Sequence, residues 1–415
     1  MISVPPIAER VDNARELKAL AAGATVSFAL NGEAWSCQVL ITGGAVAIHM
    51  EPGSPGQLSD KVDFELTARD DQWDKLLKPT PEAGMQSVIR LIDIGQIELS
   101  GERVIFDRHI HIVRSLVEAL RGTVSQNFVP QRRLSARGEY RRVESEIGTA
   151  DVHIERCGKG QPVVAFATAG SSSSQWHGLM TETALTDKFE LITIDLPWHG
   201  LSSPTFGTEL GEWSLTPASF SRFIRDAIRT IGVADPVLLG ASMAGAAVVH
   251  AVANYPEEFS GAVSCQAGIS VNNRLTPQLS DTSIDQSLFV PEWTYGLMNP
   301  ASPAEFRKRV WWGYSSGGHG LYAADIDSYQ KWNFKYVSKK LTSKSPHIAV
   351  LSGAYDTSVA PADSQKLADL IPNSSFCEMP DLGHFPHAEN PRLFANYLEP
   401  ALERVLSAPR CRRPR

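Results

Sequence analysis

The sequence predicts an α/β architecture: a mainly parallel sheet in the C-terminal two-thirds of the chain, preceded by a smaller α+β unit. Three observations carry this. From about residue 139, short apolar runs alternate with segments of helical periodicity, the pattern of a parallel sheet covered on both faces. Before residue 122, strand-like runs come first and helical ones later, with an Asn31-Gly32 turn between the first two strands. Between the two halves of the later alternation, Pro236-Val237-Leu238-Leu239-Gly240-Ala241-Ser242-Met243-Ala244-Gly245 reads as a buried strand, a sharp turn and the start of a helix. A single serine, Ser242, stands at that turn among small residues.

Taken in order, residues 11–22 carry apolar side chains at helical spacing. The runs Thr25–Leu30 and Ala34–Ile41 flank the Asn-Gly turn, and Gly43-Gly44 turns the chain into a third strand, Ala45–Met50. A fourth strand fits Val62–Thr67, followed by a helix with Asp70 placed to cap it. A strand at Ile97–Ser100 and a long helix over 107–121, stopped by Gly122, complete the unit. The polar stretch 123–138, with Pro130 and Gln131-Arg132-Arg133, reads as a linker.

In the larger part, Val163–Ala167 is a wholly apolar strand that opens into Thr168-Ala169-Gly170 and a run of four serines, 171–174. Strands follow at Phe189–Asp195, at the serine stretch and at Phe259–Cys265, with a helix over 217–231. The alternation then stops for residues 270–342. Twelve of the sixty residues 281–340 are aromatic against 8% of the whole chain, which predicts an inserted helical cap over an apolar pocket. Alternation resumes with strands Ile348–Gly353 and Ser375–Met379, helices over 361–370 and 391–406, and loops that carry Asp356 and His384.

Composition narrows the function. A net charge of −7 argues against a nucleic-acid partner, which needs a basic face. The basic run Arg410–Arg415 is too short to change that and reads as a tail over 409–415. Five scattered cysteines without a C-x-x-C suit a reducing compartment. Neither a signal core after Met1 nor an 18-residue apolar run occurs, so the expectation is a cytoplasmic protein with no membrane span. No histidine pair has metal-ligand spacing and no phosphate-cradling glycine motif is present, so neither metal nor cofactor is expected.

Ser242, Asp356 and His384 fall at the carboxyl ends of three strands, the edge where open parallel sheets bind ligands. A serine hydroxyl is a poor nucleophile until a base takes its proton, and histidine has a suitable pKa. The imidazole in turn needs a carboxylate to orient it and to balance the charge it acquires. The residues Asp195-Leu196-Pro197-Trp198-His199-Gly200-Leu201-Ser202, Gly240-Ala241-Ser242-Met243-Ala244-Gly245, Gly353-Ala354-Tyr355-Asp356 and Gly383-His384-Phe385-Pro386-His387-Ala388-Glu389-Asn390-Pro391 together resemble the α/β-hydrolase superfamily over about 139–408. The resemblance implies an α/β-hydrolase sheet with a helical cap and a Ser242–Asp356–His384 triad. It also implies an oxyanion hole from the backbone amides of Met243 and Ala169, with Gly170 the next candidate. Two features depart from the family pattern: Ala244 replaces a glycine, and Ala167-Thr168 stands where His-Gly is common. His199 and His387 are expected to be structural.

The order hairpin, Asp63–Thr67 strand, Asp71-Gln72-Trp73 helix and Glu98–Gly101 resembles the sterol-carrier-protein type of lipid-binding domain over 10–122. That gives domains at 1–125 and 139–408 joined by a linker at 126–138. The activity expected is serine hydrolysis of a carboxylic ester or lactone of an apolar or aromatic small molecule. Gly170, Trp311, Trp312, Tyr314 and Trp332 are the candidate substrate contacts. A C–C hydrolase using the same triad and a non-catalytic lipid-binding scaffold are the alternatives, and a homodimer through the N-terminal domain is a further expectation.

Overall fold

The structure, a computed structural model, describes residues 9–52, 62–122, 128–131, 135–271 and 274–409. The predicted basic tail beyond residue 409, the first eight residues and residues 123–127 and 132–134 of the linker lie outside the described residues. The chain forms two sheets. The first has five strands, β1 (Thr25–Asn31), β2 (Trp35–Thr42), β3 (Ala45–Pro52), β4 (Phe64–Thr67) and β5 (Glu98–Gly101), in the order β3-β2-β1-β4-β5. The Asn-Gly hairpin pairs Asn31 with Ser36, and β4 lies parallel to β1.

The helix Arg103–Arg121 packs on this sheet through Phe106, whose ring meets Phe64 edge-on at 5.5 Å while Phe64 stacks on Phe28 at 5.0 Å. It ends, as the sequence predicts, at Gly122 in the left-handed region. Asp70 does not cap its helix. It is the first helical residue, and its Oδ1 instead accepts the Glu33 amide at 2.8 Å, tying that helix to the hairpin turn. A short helix at Val88–Asp93 was not evident in the sequence pattern.

The second sheet has eight strands in the order β13-β12-β11-β10-β8-β9-β7-β6. These are β6 (Arg137–Ser145), β7 (Gly148–Gly158), β8 (Gln161–Phe166), β9 (Phe189–Ile194), β10 (Val237–Ala241), β11 (Gly261–Cys265), β12 (Ile348–Gly353) and β13 (Ser374–Met379). β8 to β13 pair in parallel and the β6–β7 edge is antiparallel. β10, β11 and β12 are buried at every position, which is why they read as unbroken apolar runs. β6 gives no such signal. Only Val143 on it is buried, and Arg and Glu fill most other positions of an edge strand.

Chain order reverses beside β8, since β9 lies on one side of it and β10 on the other. The crevice at the carboxyl ends of β8 and β10 is therefore the place for a ligand. Residues 270–342 leave the sheet there as the helices Gln286–Tyr295, Ala304–Ser315, Leu321–Tyr329 and Lys335–Ser338.

The N-terminal unit and this cap share one apolar core: Phe28, Phe64, Phe106 and Leu116 belong to the same cluster as Phe289, Val290, Val310 and Tyr314. Charge locks the joint. Arg114 donates to both Glu292 oxygens at 2.7 and 3.0 Å and to Glu16 at 2.5 Å, and its guanidinium lies 4.5 Å from the Tyr295 ring. Trp311 Nε1 also donates to Glu292 at 2.7 Å, and Arg307 bridges Glu118 and the Tyr295 hydroxyl. On the sheet side, Gln86 donates to the Tyr355 carbonyl at 2.8 Å, one residue from Asp356. No helix among the described residues is long and apolar enough to cross a membrane.

Removing a partner from a buried ion pair leaves an uncompensated charge. Glu292→Ala is therefore expected to lower stability by about 3 kcal/mol or more, read from urea unfolding at neutral pH.

Candidate active site

Ser242 lies between the end of β10 and the helix Met243–Asn254, with φ 57° and ψ −121°. That is a conformation an L residue adopts only when its surroundings impose it. Here the Ser242 amide donates to the Cys265 carbonyl of β11 at 2.8 Å, and its carbonyl accepts from Ala246 at 3.0 Å. The turn is so tight that a Cβ on Gly240 would stand 2.3 Å from the Ala244 carbonyl oxygen, and one on Gly245 would stand 2.5 Å from the Cys265 carbonyl. The steric demand thus falls on Gly240 and Gly245. Ala244 is itself fully buried without needing to be glycine, which explains that departure from the family pattern.

Asp356 and His384 follow β12 and β13. His384 Nδ1 and Asp356 Oδ2 are 2.7 Å apart. The carboxylate can only accept, so Nδ1–H donates, and in the neutral imidazole that leaves the lone pair on Nε2. The other Asp356 oxygen accepts the amides of Ser358 and Val359 at 2.7 and 2.9 Å, which fixes the carboxylate's plane. The His384 amide donates to Leu297 O at 3.0 Å, so the cap's own backbone holds the His384 loop. Both His384 and Asp356 are buried, as is Ser242.

Three further buried residues build this arrangement and were not singled out by sequence reasoning. Gln266, directly after β11, donates to the Gly383 carbonyl at 2.6 Å and accepts from the Gly353 amide at 3.0 Å, linking the end of β12 to the His384 loop. Its place at a strand's carboxyl end was a usable signal. Glu389 accepts the amides of Gly383 and of Asn299, the latter at 2.9 Å, and burial pushes its carboxyl up to about 8. Asp325, in the cap helix Leu321–Tyr329, is wholly buried. Its Oδ2 meets the Gly170 amide at 2.7 Å and His199 Nε2 at 2.8 Å, and its Oδ1 accepts from Trp213 at 2.7 Å. Burial by itself would depress the His199 pKa, and the Asp325 carboxylate beside it outweighs that and raises it. Glu389 lies in the conspicuous stretch after His384 and Asp325 in no motif, and only tertiary packing reveals what either carboxylate holds.

Ser242, His384, Thr168, Ala169, Tyr314 and Arg274 line one small cavity of about 20 Å³, room for about one water. Its remaining walls are mostly apolar, with Val271, Leu297, Ile326 and Phe385 among them. Among the described residues no acceptor takes the amide of Met243 or of Ala169, whereas that of Gly170 is engaged by Asp325. Tyr314 is held by Thr168 Oγ1 at 2.6 Å.

The other aromatic candidates lie elsewhere. Trp332 is buried beside Phe220 and His250, with its indole donating to Leu215 O at 3.2 Å. Trp311, Trp312, Gly170 and Ser171–Ser174 line a larger groove of about 1210 Å³ that contains neither Ser242 nor His384. Tyr314 and Tyr322 border both the small cavity and a third hollow of about 590 Å³. Arg274, on the segment leading into the cap, is a cavity residue that the sequence gave no reason to single out.

A model of the alpha/beta hydrolase family matches residues 163–397, more than half of the 415 residues. The chain belongs to the α/β hydrolase family. Solved structures of similar fold include an esterase from Thermogutta terrifontis, at 20% identity and a TM-score of 0.56, covering 65% of this chain and all of that one. An enol-lactonase from Burkholderia xenovorans aligns at 16% identity and a TM-score of 0.55, over 64% of this chain and all of that one. A bromoperoxidase from Bacillus anthracis aligns at 17% identity and a TM-score of 0.55, over the same shares. A search of curated proteins finds none that match. This hydrolase therefore shares its fold with proteins named for different chemistry, and its own site has to be read from its own residues.

His387 illustrates the structural role of a second histidine near the base. It is fully buried, stacks on Trp176 with centroids 4.0 Å apart, and is pushed down to about 3 by burial and by His384. Its folded pKa lies below the ordinary value, so the unfolded chain takes up a proton that the folded one refuses, and stability falls as pH drops from 6.5 towards 3. His387→Phe is expected to make that acid slope shallower by one proton, about 1.4 kcal/mol per pH unit, measured by urea unfolding at pH 7, 5.5 and 4.5.

Proposed function

We propose that this α/β hydrolase cleaves a carboxylic ester or lactone through an acyl-enzyme on Ser242. The observation that carries the reading is one cavity bordered by a strained serine and by a histidine bonded to a buried aspartate, with two untaken backbone amides at the same place. In this reading His384 Nε2 takes the Ser242 hydroxyl proton as Oγ attacks the carbonyl carbon. The oxyanion lies on the amides of Met243 and Ala169, aided by the N-terminus of the helix Met243–Asn254. The carbon–oxygen bond to the leaving alcohol breaks, and the imidazolium returns its proton to that oxygen. Water, deprotonated by His384, then releases the acid and regenerates Ser242.

The esterase and enol-lactonase among the fold neighbours support this class of reaction. The apolar walls suit an apolar or aromatic body on the substrate. A cavity this small requires the cap to yield, and Tyr314 and Tyr322, which border the neighbouring hollow as well, are the side chains that have to move. The N-terminal unit, with its sterol-carrier resemblance, acts in this reading as the support that fixes the cap, whether or not it also binds a lipid or a second copy of itself.

With 4-nitrophenyl butyrate as the probe, Ser242→Ala or His384→Ala should lower kcat about 10⁶-fold and Asp356→Ala about 10⁴-fold. Rapid mixing should show a nitrophenolate burst equal to the enzyme concentration. Near-normal turnover by Ser242→Ala would remove the serine from the reaction.

A further inference from the structure

Arg274 is the unexplained charge of the site. It stands on the wall of the same cavity as Ser242 and His384, among Tyr322, Tyr329 and Ile326 of the cap. A guanidinium carries five N–H donors. Among the described residues one acceptor is present for them, the Ser358 hydroxyl, and no carboxylate lies within ion-pairing distance. Burial disfavours its charge, so that its pKa falls below the usual arginine value although the Asp356 carboxylate and the Tyr322 and Tyr329 hydroxyls act in the opposite direction.

Asp356 does not serve as its partner. Both oxygens of that carboxylate are committed, one to His384 and the other to the amides of Ser358 and Val359. A second guanidinium, that of Arg90 on the N-terminal unit, adds to the positive potential at Arg274 instead of relieving it. A half-buried cation that lacks an anion is costly. Elsewhere in this chain, the half-buried Arg114 is neutralised by Glu292 and Glu16, and the buried Arg307 by Glu118.

We propose that Arg274 is a carboxylate-recognising residue and that the natural substrate is an ester or lactone that also carries a free carboxylate a short distance from the scissile bond. The guanidinium fork matches a carboxylate in two-point geometry, and the apolar walls around it strengthen the pair by excluding water. The remaining walls, Val271, Leu297 and Phe385, take the hydrocarbon between the two groups. This assignment rests on the Ser242 reading for its chemistry, but the binding half of it stands independently.

The experiment compares charged and neutral partners of one ester. Mono-4-nitrophenyl adipate and its ω-methyl ester place the carboxylate on the acyl side, and 4-acetoxybenzoate and its methyl ester place it on the alcohol side. In at least one pair the wild type should favour the carboxylate in kcat/KM by about tenfold or more, and Arg274→Gln should lower that ratio by about the same factor. Arg274→Lys, which keeps the charge without the fork, should fall between them. Equal ratios for wild type and Arg274→Gln in both pairs would overturn the assignment.

Calorimetry with adipate and with 4-hydroxybenzoate on Ser242→Ala separates the two claims. Loss of binding in Ser242→Ala/Arg274→Gln supports the carboxylate site even where no ester is turned over, and failure of both anions to bind Ser242→Ala counts against it. Failure of the wild type to turn over any of the four esters counts against the hydrolase reading alone.

Discussion

The backbone at Ser242 is the constraint on which the rest of the site depends. A positive φ on a non-glycine residue persists only when its neighbours over-determine it. Three features do so here: the amide bond to Cys265 O, the absence of a Cβ at Gly240 and Gly245, and a helix that starts one residue later. The consequence is a hydroxyl at the carboxyl end of β10 with the first free amide of a helix beside it. Everything else in the site is a way of bringing other groups to that one fixed point. Gln266 and Glu389 hold the His384 loop, and Asp325 holds the loop after β8, so that the Gly170 amide is occupied while the Ala169 amide is not.

Asp325 and Leu297 belong to the cap, not to the sheet. The loops that carry Ala169 and His384 are thus tethered to an inserted segment, and that segment shares its core with the N-terminal unit through Arg114–Glu292 and Arg307–Glu118. Cap position, the Ala169 loop and the His384 loop are mechanically one assembly. An assembly of this kind favours a closed, dry site in which electrostatic interactions are strong. It also means that admitting a substrate has to break contacts in the cap. Tyr314 and Tyr322 are candidates because they pack ring against ring on the cavity wall, with the Tyr314 hydroxyl bonded to Thr168.

Much of this was legible in the sequence because it is local. The central strands β10, β11 and β12 are fully buried and therefore read as apolar runs, and a sharp strand-to-helix turn needs small residues at set offsets. Asp356 and His384 sit at strand ends where the fold concentrates chemistry. β6 was not legible, because an edge strand rich in Arg and Glu with one buried residue has no apolar face to detect. Asp70 shows the limit of local rules: its carboxylate serves a turn 37 residues away in the sequence and not its own helix. Trp311, Trp312 and Trp332 were singled out by aromatic density alone, and density does not say which way a ring faces. Arg274, Asp325 and Glu389 are ordinary charged residues in sequence and become informative only when burial and partners are known.

The central claim is that Ser242 is a nucleophile, and covalent labelling tests it without a known substrate. Wild-type protein incubated with a neutral alkyl fluorophosphonate should gain one adduct by intact mass, mapped by peptide sequencing to Ser242, while folded Ser242→Ala gains none. An unlabelled, folded wild type, or an adduct on another residue that persists in Ser242→Ala, would contradict the account.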